Sequence, residues 1–389
     1  MDVLDAVILG AGAAGLVCAE AAALRGRRVL VLDHGKVAGR KVRLSGGGRC
    51  NAANRAVSAA DYVSANPHFV RSALARFGPA EAEALFARGG LGLHEEEGGK
   101  LFCDQGAAAA ARWLEQAARR AGARLLLGCR IREVGREAEA GAGFTVFTDV
   151  GTFSAPRLVL ALGGKSWPRA GATPFGYEAA RRLGLEVTPL APGLVPLVLG
   201  RGWEWSGLSG VSCRALLSCA RGGAEGDLLF THAGISGPAA LDASLFWEKG
   251  EPLVLDLLPG QDLERILRAA PGKAKARNVL ARLLPERLAA AVCGDLGEAR
   301  VGDLSKEGVR ELLARVSARR LLPRGTAGWD AAEVTRGGVD TAAISSKTME
   351  ARNAPGLHVV GELLDVTGRL GGFNLLWAFA SGRAAGESL

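Results

Sequence analysis

Asp5 to Asp33 reads DAVILGAGAAGLVCAEAAALRGRRVLVLD, and the order of residue types in it decides the fold. Asp5 to Leu9 is a short apolar run of the kind that forms a buried strand. Gly10-Ala11-Gly12-Ala13-Ala14-Gly15 follows, then an Ala-rich helix from about Ala14 to Arg25, then a second strand, Arg28 to Leu32, ending on Asp33. In such a βαβ unit Gly10 permits the tight turn, Gly12 lets the backbone approach a diphosphate, and Gly15 lets the helix pack on the strand. The diphosphate sits over unpaired N–H groups at the positive end of the helix. Asp33 lies 18 residues after Gly15 and is placed to accept from an adenosine ribose. Its charge disfavours a 2′-phosphate, so NADP is not expected at this site.

The segment after the second strand is the most unusual in the chain. It runs Gly39-Arg40-Lys41-Val42-Arg43-Leu44-Ser45-Gly46-Gly47-Gly48-Arg49-Cys50-Asn51. Three consecutive glycines cost conformational entropy and offer no packing. With Ser, Arg and Asn around them they read as a nest of backbone N–H groups against a flavin and its pyrophosphate, rather than as a linker. Arg49 and Asn51 are then expected at the polar edge of the isoalloxazine. Cys50 has no neighbouring cysteine and reads as a small structural thiol within that loop. The segment points to FAD rather than a nicotinamide dinucleotide.

Further along, residues 61–79 read as a polar helix broken at Pro67, and Leu91 to Phe102 as a hairpin with an acidic turn. Ala107 to Ala121 reads as a helix, followed by a strand from Leu125 toward Ile131. Phe144–Phe147 and Thr152–Phe153 alternate as paired strands. Arg157 to Gly164 is an apolar strand ending on two glycines, which brings Ala161, Gly163 and Gly164 close to a dinucleotide. Pro189, Pro192 and Pro196 mark a shift in composition. Short strands broken by Gly and Pro fill 194–258 and suggest a barrel, and 261–318 turns helical and basic. Leu357 to Val360 is a strand entering Gly361-Glu362, with Asp365 beyond it. Gly371-Gly372-Phe373-Asn374 opens a helix from Leu375 to Ala385, whose positive end would face flavin N1 and C2=O, where charge collects on reduction.

Hydrophobic residues make up 48% of the 389, enough for a large core, and aromatics only 5%. The formal charge is 48 − 40 = +8. It reads as an arginine-rich soluble surface or as an attraction to phosphate in a cofactor or RNA. The start, Met1 to Asp5, lacks the basic and apolar regions of a signal peptide. No apolar run reaches bilayer length. The seven cysteines contain no C-x-x-C pair, which suits reduced thiols in the cytoplasm, and no metal-ligand cluster stands out.

Taken together, the strings GRKVRLSGGGRCN (39–51), LALGGKSWPRAGATPFGY (160–177), LFTHAGISGPA (229–239), VTRGGV (334–339) and PGLHVVGELLDVTGRLGGFNLLWAFASG (355–382) resemble the BaiN/YhiN family of flavoproteins. With the first glycine motif they span nearly the whole chain. The resemblance implies a Rossmann-like FAD-binding domain of the two-dinucleotide-binding-fold type at 1–189 and 341–389. An insert at 190–340 interrupts it, with a small β-barrel at about 190–260 and a helical part at about 261–320. It also implies that the strand after Leu125 gives adenine backbone contacts near Arg130 and Ile131.

Hydride from NADH or NADPH, a transient donor, would reach an activated C=C or similar small-molecule acceptor through FAD. Family members are associated with bile-acid ring reduction and with converting a ribosomal-RNA uridine to dihydrouridine, so RNA is the alternative partner. A non-enzymatic FAD- or RNA-binding scaffold is the reading from another class. The expected cofactor contacts are Gly10, Gly12, Ala13, Ala14, Gly15, Asp33, the 39–51 loop with Arg40, Lys41 and Ser45 to Asn51, Arg130, Ile131, Ala161, Gly163 and Gly164. Gly361, Glu362, Asp365 and Gly371 to Leu375 complete them. Reducing a C=C needs a proton beside the hydride. His232 is the candidate donor or a structural histidine, and Lys165 and Tyr177 sit in a loop expected to border the flavin.

Overall fold

The computed structural model describes residues 3–136 and 143–389. Met1 and Asp2, part of the start read above, lie outside them. The chain forms two compact units. One runs to Ala191 and resumes at Val334, and the other is Pro192–Glu333. The return at Val334 comes within the range expected of the insert. The short strand Val334–Arg336 belongs to the first unit, where Thr335 bonds to Lys165, Ser166 and Glu362.

Five short strands form the central sheet of the first unit: β1 Ala6–Leu9, β2 Val29–Asp33, β3 Arg124–Leu127, β4 Leu158–Leu160 and β5 Leu357–Val359. Their order is β5-β4-β1-β2-β3, and every neighbouring pair is parallel. β1, β4 and β5 are wholly buried, which is why they read as unbroken apolar runs rather than alternating ones. Helix α1, Ala13–Leu24, crosses from β1 to β2 and buries nearly all its length. That position suits alanine, because the helix presses on the sheet on one side and on the C-terminal helix α2, Phe373–Ser388, on the other.

The approach of α2 to α1 is set by two glycines one turn apart. A Cβ on Gly382 would lie 2.3 Å from the Ala14 carbonyl oxygen, and one on Gly386 would lie 2.5 Å from that of Cys18. The α1–β1 contact is equally tight, since a Cβ on Gly15 would fall 1.9 Å from the Gly10 carbonyl oxygen. The first and last helices are therefore locked face to face. Trp377, Phe379, Phe86 and Tyr62 fill the core beside them.

Several local expectations are corrected. In place of one helix over 61–79 there is a two-residue strand, Tyr62–Val63, a single turn, Arg71–Leu74, and then a helix Pro79–Ala87. Proline here starts a helix: Pro79 takes the first position and Glu81 Oε2 accepts the N–H of Gly78 at 2.8 Å. The strand begun at Arg124 does not continue to Ile131. Gly128 is left-handed (φ +72) and turns the chain into a separate antiparallel sheet of Ile131–Arg136, Phe144–Thr148 and Thr152–Ala155. The hairpin appears as Leu93–Glu96 paired with Lys100–Cys103, to which Asn51–Asn54 adds a third strand. α2 starts two residues earlier than expected and runs three longer.

The second unit holds a seven-stranded antiparallel sheet in the order Arg319–Leu321, Leu253–Asp256, Ser212–Cys219, Gly222–Thr231, Gly234–Ser236, Leu197–Val198, Gly325–Thr326. The two edge strands follow the helical stretch instead of preceding it. Only Leu322–Arg324 separate them, so the sheet's edges return to within about 14 Å of each other, as in a small, incompletely closed barrel. Leu263–Ala269, Ala276–Leu280, Glu286–Cys293 and Lys306–Ser317 supply the helical part, sharing one core with Phe230, Trp247 and Leu255. Among the described residues no helix is long and apolar enough to cross a membrane.

Gly382→Ala tests the α1–α2 contact. Helix propensity alone predicts a gain of about 1 kcal/mol. The steric limit predicts instead a net loss of about 1–3 kcal/mol, read as a lower urea midpoint.

Candidate functional site

The carboxyl ends of the five strands form one edge of the sheet, and Gly10, Asp33, Ala161 and Gly361-Glu362 stand at or just past four of those ends. α1 begins above β1. Its N-cap Gly12 has an ordinary φ of −85°, and a Cβ built there would meet nothing within 4 Å. Neither strain nor packing therefore explains this glycine, and the space above it is open. Gly163, just past β4, is left-handed (φ +69) and also faces open space. Ala161 backs the turn, its carbonyl oxygen 2.3 Å from where a Gly10 Cβ would stand. Ala13 and Ala14 are buried in the first turn of α1.

On the β2 side Asp33 is already engaged by its own chain. Its Oδ2 accepts the Ala11 N–H at 2.8 Å, and its Oδ1 accepts the Gly35 N–H at 2.7 Å and lies 3.3 Å from Arg40 Nη2. The loop then passes over the glycine turn, where the Gly39 N–H donates to the Ala11 carbonyl at 2.8 Å. Arg40 turns back toward Asp33 and His34, while Lys41 turns the other way, toward β4 and β5. Arg130 uses its N–H on Asp149 Oδ1 (2.8 Å), and Ile131 pairs with Thr148 in the antiparallel sheet.

The triple-glycine turn is tight and left-handed. Gly46 and Gly47 are left-handed (φ +58 and +65), and Cβ atoms on Gly47 and Gly48 would meet nothing within 4 Å. Ser45 Oγ closes the turn by donating to the Val42 carbonyl at 2.7 Å. Cys50 is buried in a left-handed conformation (φ +61), and burial pushes its thiol up to about 12, so it is no thiolate at neutral pH. Arg49 lies 4.0 Å above the Phe102 ring and reaches Glu96 Oε1 at 2.7 Å.

Asn51 lies between two backbone groups. In the orientation that pairs donor with acceptor, its amide donates to the Ala53 carbonyl (3.0 Å) and accepts the N–H of Gly372, the N-cap of α2 (3.2 Å). Gly372 is left-handed (φ +95), and a Cβ on it would stand 2.1 Å from the Ala53 oxygen. Gly371 is buried, and its carbonyl accepts from Asn54 Nδ2 at 3.1 Å. Asn374 clamps the loop before its own helix, accepting the Gly368 N–H at 2.9 Å and donating to the Gly368 carbonyl at 2.8 Å. Phe373 packs edge-on to Tyr62, and Leu375 is half-buried in the first turn.

Beyond β4 and β5 lies a polar network of four segments. Lys41 Nζ donates to Glu362 Oε2 at 2.7 Å and to Ser166 Oγ at 2.8 Å. Ser166 Oγ donates to Glu362 Oε1 at 3.0 Å, and the Thr335 N–H donates to the same oxygen at 2.9 Å. Thr335 Oγ1 accepts the N–H groups of Lys165 (2.8 Å) and Ser166 (3.2 Å). Gly164 packs against this network: a Cβ would stand 2.4 Å from both Glu362 Oε1 and Thr335 Oγ1 and would have to displace them. Burial works to raise the Glu362 pKa, but Lys41, the Thr335 N–H and Ser166 outweigh it and hold the carboxyl below the usual range. α2 aims this carboxylate: Gly361 donates to Ser381 Oγ (3.0 Å) and accepts from Trp377 Nε1 (3.2 Å). Asp365 accepts the Ala65 N–H at 3.0 Å, and burial pushes its carboxyl up.

Of the expected proton donors, Lys165 and Tyr177 belong to the first unit and His232 to the second. Tyr177 is not in a loop. It lies in the helix Phe175–Arg182 with its ring fully buried, because the first turn after Pro174 turns it inward, and burial drives its phenol well above the usual range. Lys165 is half-buried beside the network. His232 is exposed on the turn between Gly222–Thr231 and Gly234–Ser236 in the second unit. Ser166, Thr335 and Asn54 went unnoticed in the sequence. Ser166 and Thr335 stand in GGKS and VTRGGV, but a polar residue in a loop carries no periodic signal until the fold buries it.

Ionised Glu362 favours the folded state above the ordinary carboxyl value of 4.5, and that benefit is lost as pH falls through its lower folded value. Glu362→Gln is expected to cost about 2 kcal/mol at pH 7. In urea unfolding, the gap to the wild type should narrow below pH 4.5.

Residues 4–388 match the family described as HI0933-like protein Rossmann domain. The chain is 41% identical over 397 residues to the ribosomal RNA dihydrouridine synthase of Escherichia coli (strain K12), covering 100% of this chain and 98% of that one. It is 32% identical over 406 residues to the 3-dehydro-bile acid delta(4,6)-reductase of Clostridium scindens, with 98% of each chain covered. Among solved structures, 3-ketosteroid delta1-dehydrogenase from Sterolibacterium denitrificans superposes with a TM-score of 0.55 at 13% identity, covering 100% of this chain and 99% of that one, a likeness of fold. With its parallel sheet, glycine turn and full-length match, the chain belongs to the HI0933-like Rossmann family and has the Rossmann-type fold of FAD-binding flavoproteins.

Proposed function

We propose that this protein is an FAD-dependent oxidoreductase that takes hydride from NADH or NADPH and reduces an activated C=C bond. The observation that carries the reading is the open cradle over Gly12, whose glycine is unexplained by backbone strain or by any neighbouring atom. A diphosphate fits there against the N-terminal turn of α1, where N–H groups and the helix dipole favour an anion. Asp33 and Arg40 would take the adenosine side. Gly163, Gly164, Lys41, the Gly46–Gly48 turn and the first turn of α2 would take the flavin side. Arg130 and Ile131 would line the adenine with backbone. FAD, when bound, supplies hydride transfer between the nicotinamide donor and the acceptor. The chain's own part is to hold that group, exclude water and supply a proton, for which Lys165 is the proposed donor in the first unit.

For the acceptor, a second reading is favoured by the 41% identity over the full length to a ribosomal RNA dihydrouridine synthase. The 5,6-bond of uracil is itself an electron-poor C=C. Arg265, Lys273 and Arg282 are exposed in the second unit, as a phosphate-facing surface requires, whereas Lys275 and Arg277 are drawn to Glu298. The relation to a bile acid reductase supports the small-molecule reading instead.

The test is anaerobic absorbance of the purified protein, with flavin bands expected near roughly 370 and 450 nm that bleach with NADH or NADPH. Incubation of the reduced protein with uridine-containing RNA or a conjugated steroid enone then identifies the acceptor by the product formed. Gly12→Val is expected to lower the unfolding free energy, read in urea, by no more than about 1 kcal/mol, the cost of a poorer N-cap. It should nevertheless lose FAD on gel filtration. Retention of FAD by this variant, or flavin that stays oxidised with both donors, overturns the reading.

A further inference from the structure

The order of the strands fixes which half of a dinucleotide meets the Lys41 network. The glycine turn belongs to β1, the central strand, and Asp33 ends β2 on one side of it. A dinucleotide with its diphosphate over β1 and its adenosine toward Asp33 has its other half over β4 and β5. Ser166 and Glu362 follow β4 and β5, and Lys41 is carried to them by a loop that crosses the turn.

The network is oriented. Both oxygens of Glu362 are turned onto donors of the protein: Oε1 to Ser166 and Thr335, Oε2 to Lys41. Lys41 is the more open end, with its side chain 33% exposed against 19% for Glu362. An ammonium has three N–H bonds. Two of those of Lys41 meet Glu362 and Ser166 among the described residues, which leaves one for the crevice. The half-buried carboxylate thus acts on the site through the lysine it holds.

We propose that Lys41 is the fixed positive charge of the flavin half of the crevice, and that Glu362, Ser166 and Thr335 are the positioning residues that hold it there. The inference rests on the FAD reading above. It reassigns Glu362 from a direct flavin contact to the counter-ion of Lys41. A cation at this place stabilises negative charge gathered on a reduced flavin or on a flavin adduct, because it is already oriented and needs no reorganisation. Ser166 and Thr335 matter because a lysine stem has several rotamers: the ammonium is held by Ser166 and Glu362, and Thr335 in turn fixes both of these.

Two readouts independent of turnover test this: the midpoint potential of the bound flavin, and the affinity of the oxidised flavin for sulfite, whose adduct is anionic. Lys41→Met should weaken sulfite binding at least tenfold and lower the midpoint by about 30 mV or more, the two-electron equivalent of a tenfold change. Because Lys41→Met alone leaves Glu362 without its partner, the double variant Lys41→Met/Glu362→Gln is the decisive one. It removes both charges and should still bind sulfite at least tenfold more weakly than the wild type. Lys41→Arg should recover most of the affinity. Ser166→Ala should shift sulfite affinity in the same direction by a smaller factor, with FAD retained. A double variant that binds FAD and sulfite as the wild type does overturns the inference and leaves the FAD reading intact. A wild-type protein that binds no FAD overturns the FAD reading itself, before any variant is compared.

Discussion

The contact between α1 and α2 is the constraint from which the site follows. Gly382 and Gly386 let the last helix of the chain approach the first until its backbone meets the carbonyls of Ala14 and Cys18. Any larger residue would separate the helices, because the opposing atoms are backbone and cannot rotate away. Glycine inside a helix is otherwise unfavourable by about 1 kcal/mol, and here the close packing offsets that cost. The contact brings residues 361–375 to the glycine turn at 10–15 although more than 300 positions separate them in sequence.

From that contact the geometry passes outward in short steps. Trp377 and Ser381, on the inner face of α2, take the carbonyl and the N–H of Gly361. Glu362 is the next residue, so its carboxylate is aimed by the helix. It then collects Lys41, Ser166 and the Thr335 N–H. A charge taken partly out of water costs free energy unless it is paired and hydrogen-bonded, and this one is both. Gly164 packs against the same carboxylate, and a side chain there would have to displace it. Several of the residues that read as cofactor contacts are thus part of one supporting structure.

The glycines separate into two classes that look alike in sequence. Gly10, Gly15, Gly164, Gly372 and Gly382 are small because protein atoms stand where a Cβ would go. Gly47, Gly48 and Gly163 face open space but are required by their left-handed backbone, whereas Gly12 faces open space with an ordinary φ. Gly12 and Gly163 follow the carboxyl ends of β1 and β4, the edge where open parallel sheets bind their ligands.

The βαβ unit, the strands at 158–160 and 357–359 and the closing helix were legible in the sequence. Each depends on local apolar patterning, turn glycines and proline placement, which act over a few residues. The same local reasoning failed at 61–79, where a polar run without strong periodicity hid the helix that Pro79 begins, and at Gly128, where one left-handed residue ends a strand. Residue types also pointed to the 39–51 loop and to Glu362 without saying what they touch. Only the folded chain decided that Arg40 turns to Asp33 while Lys41 turns to Glu362, that Asn374 closes its own loop, and that Tyr177 is buried. Those outcomes depend on contacts between segments up to 321 residues apart. The sequence by itself determined a dinucleotide-binding Rossmann unit, because its signals are local. The tertiary structure decided the partners of each charged side chain, because burial and pairing exist only once distant segments meet.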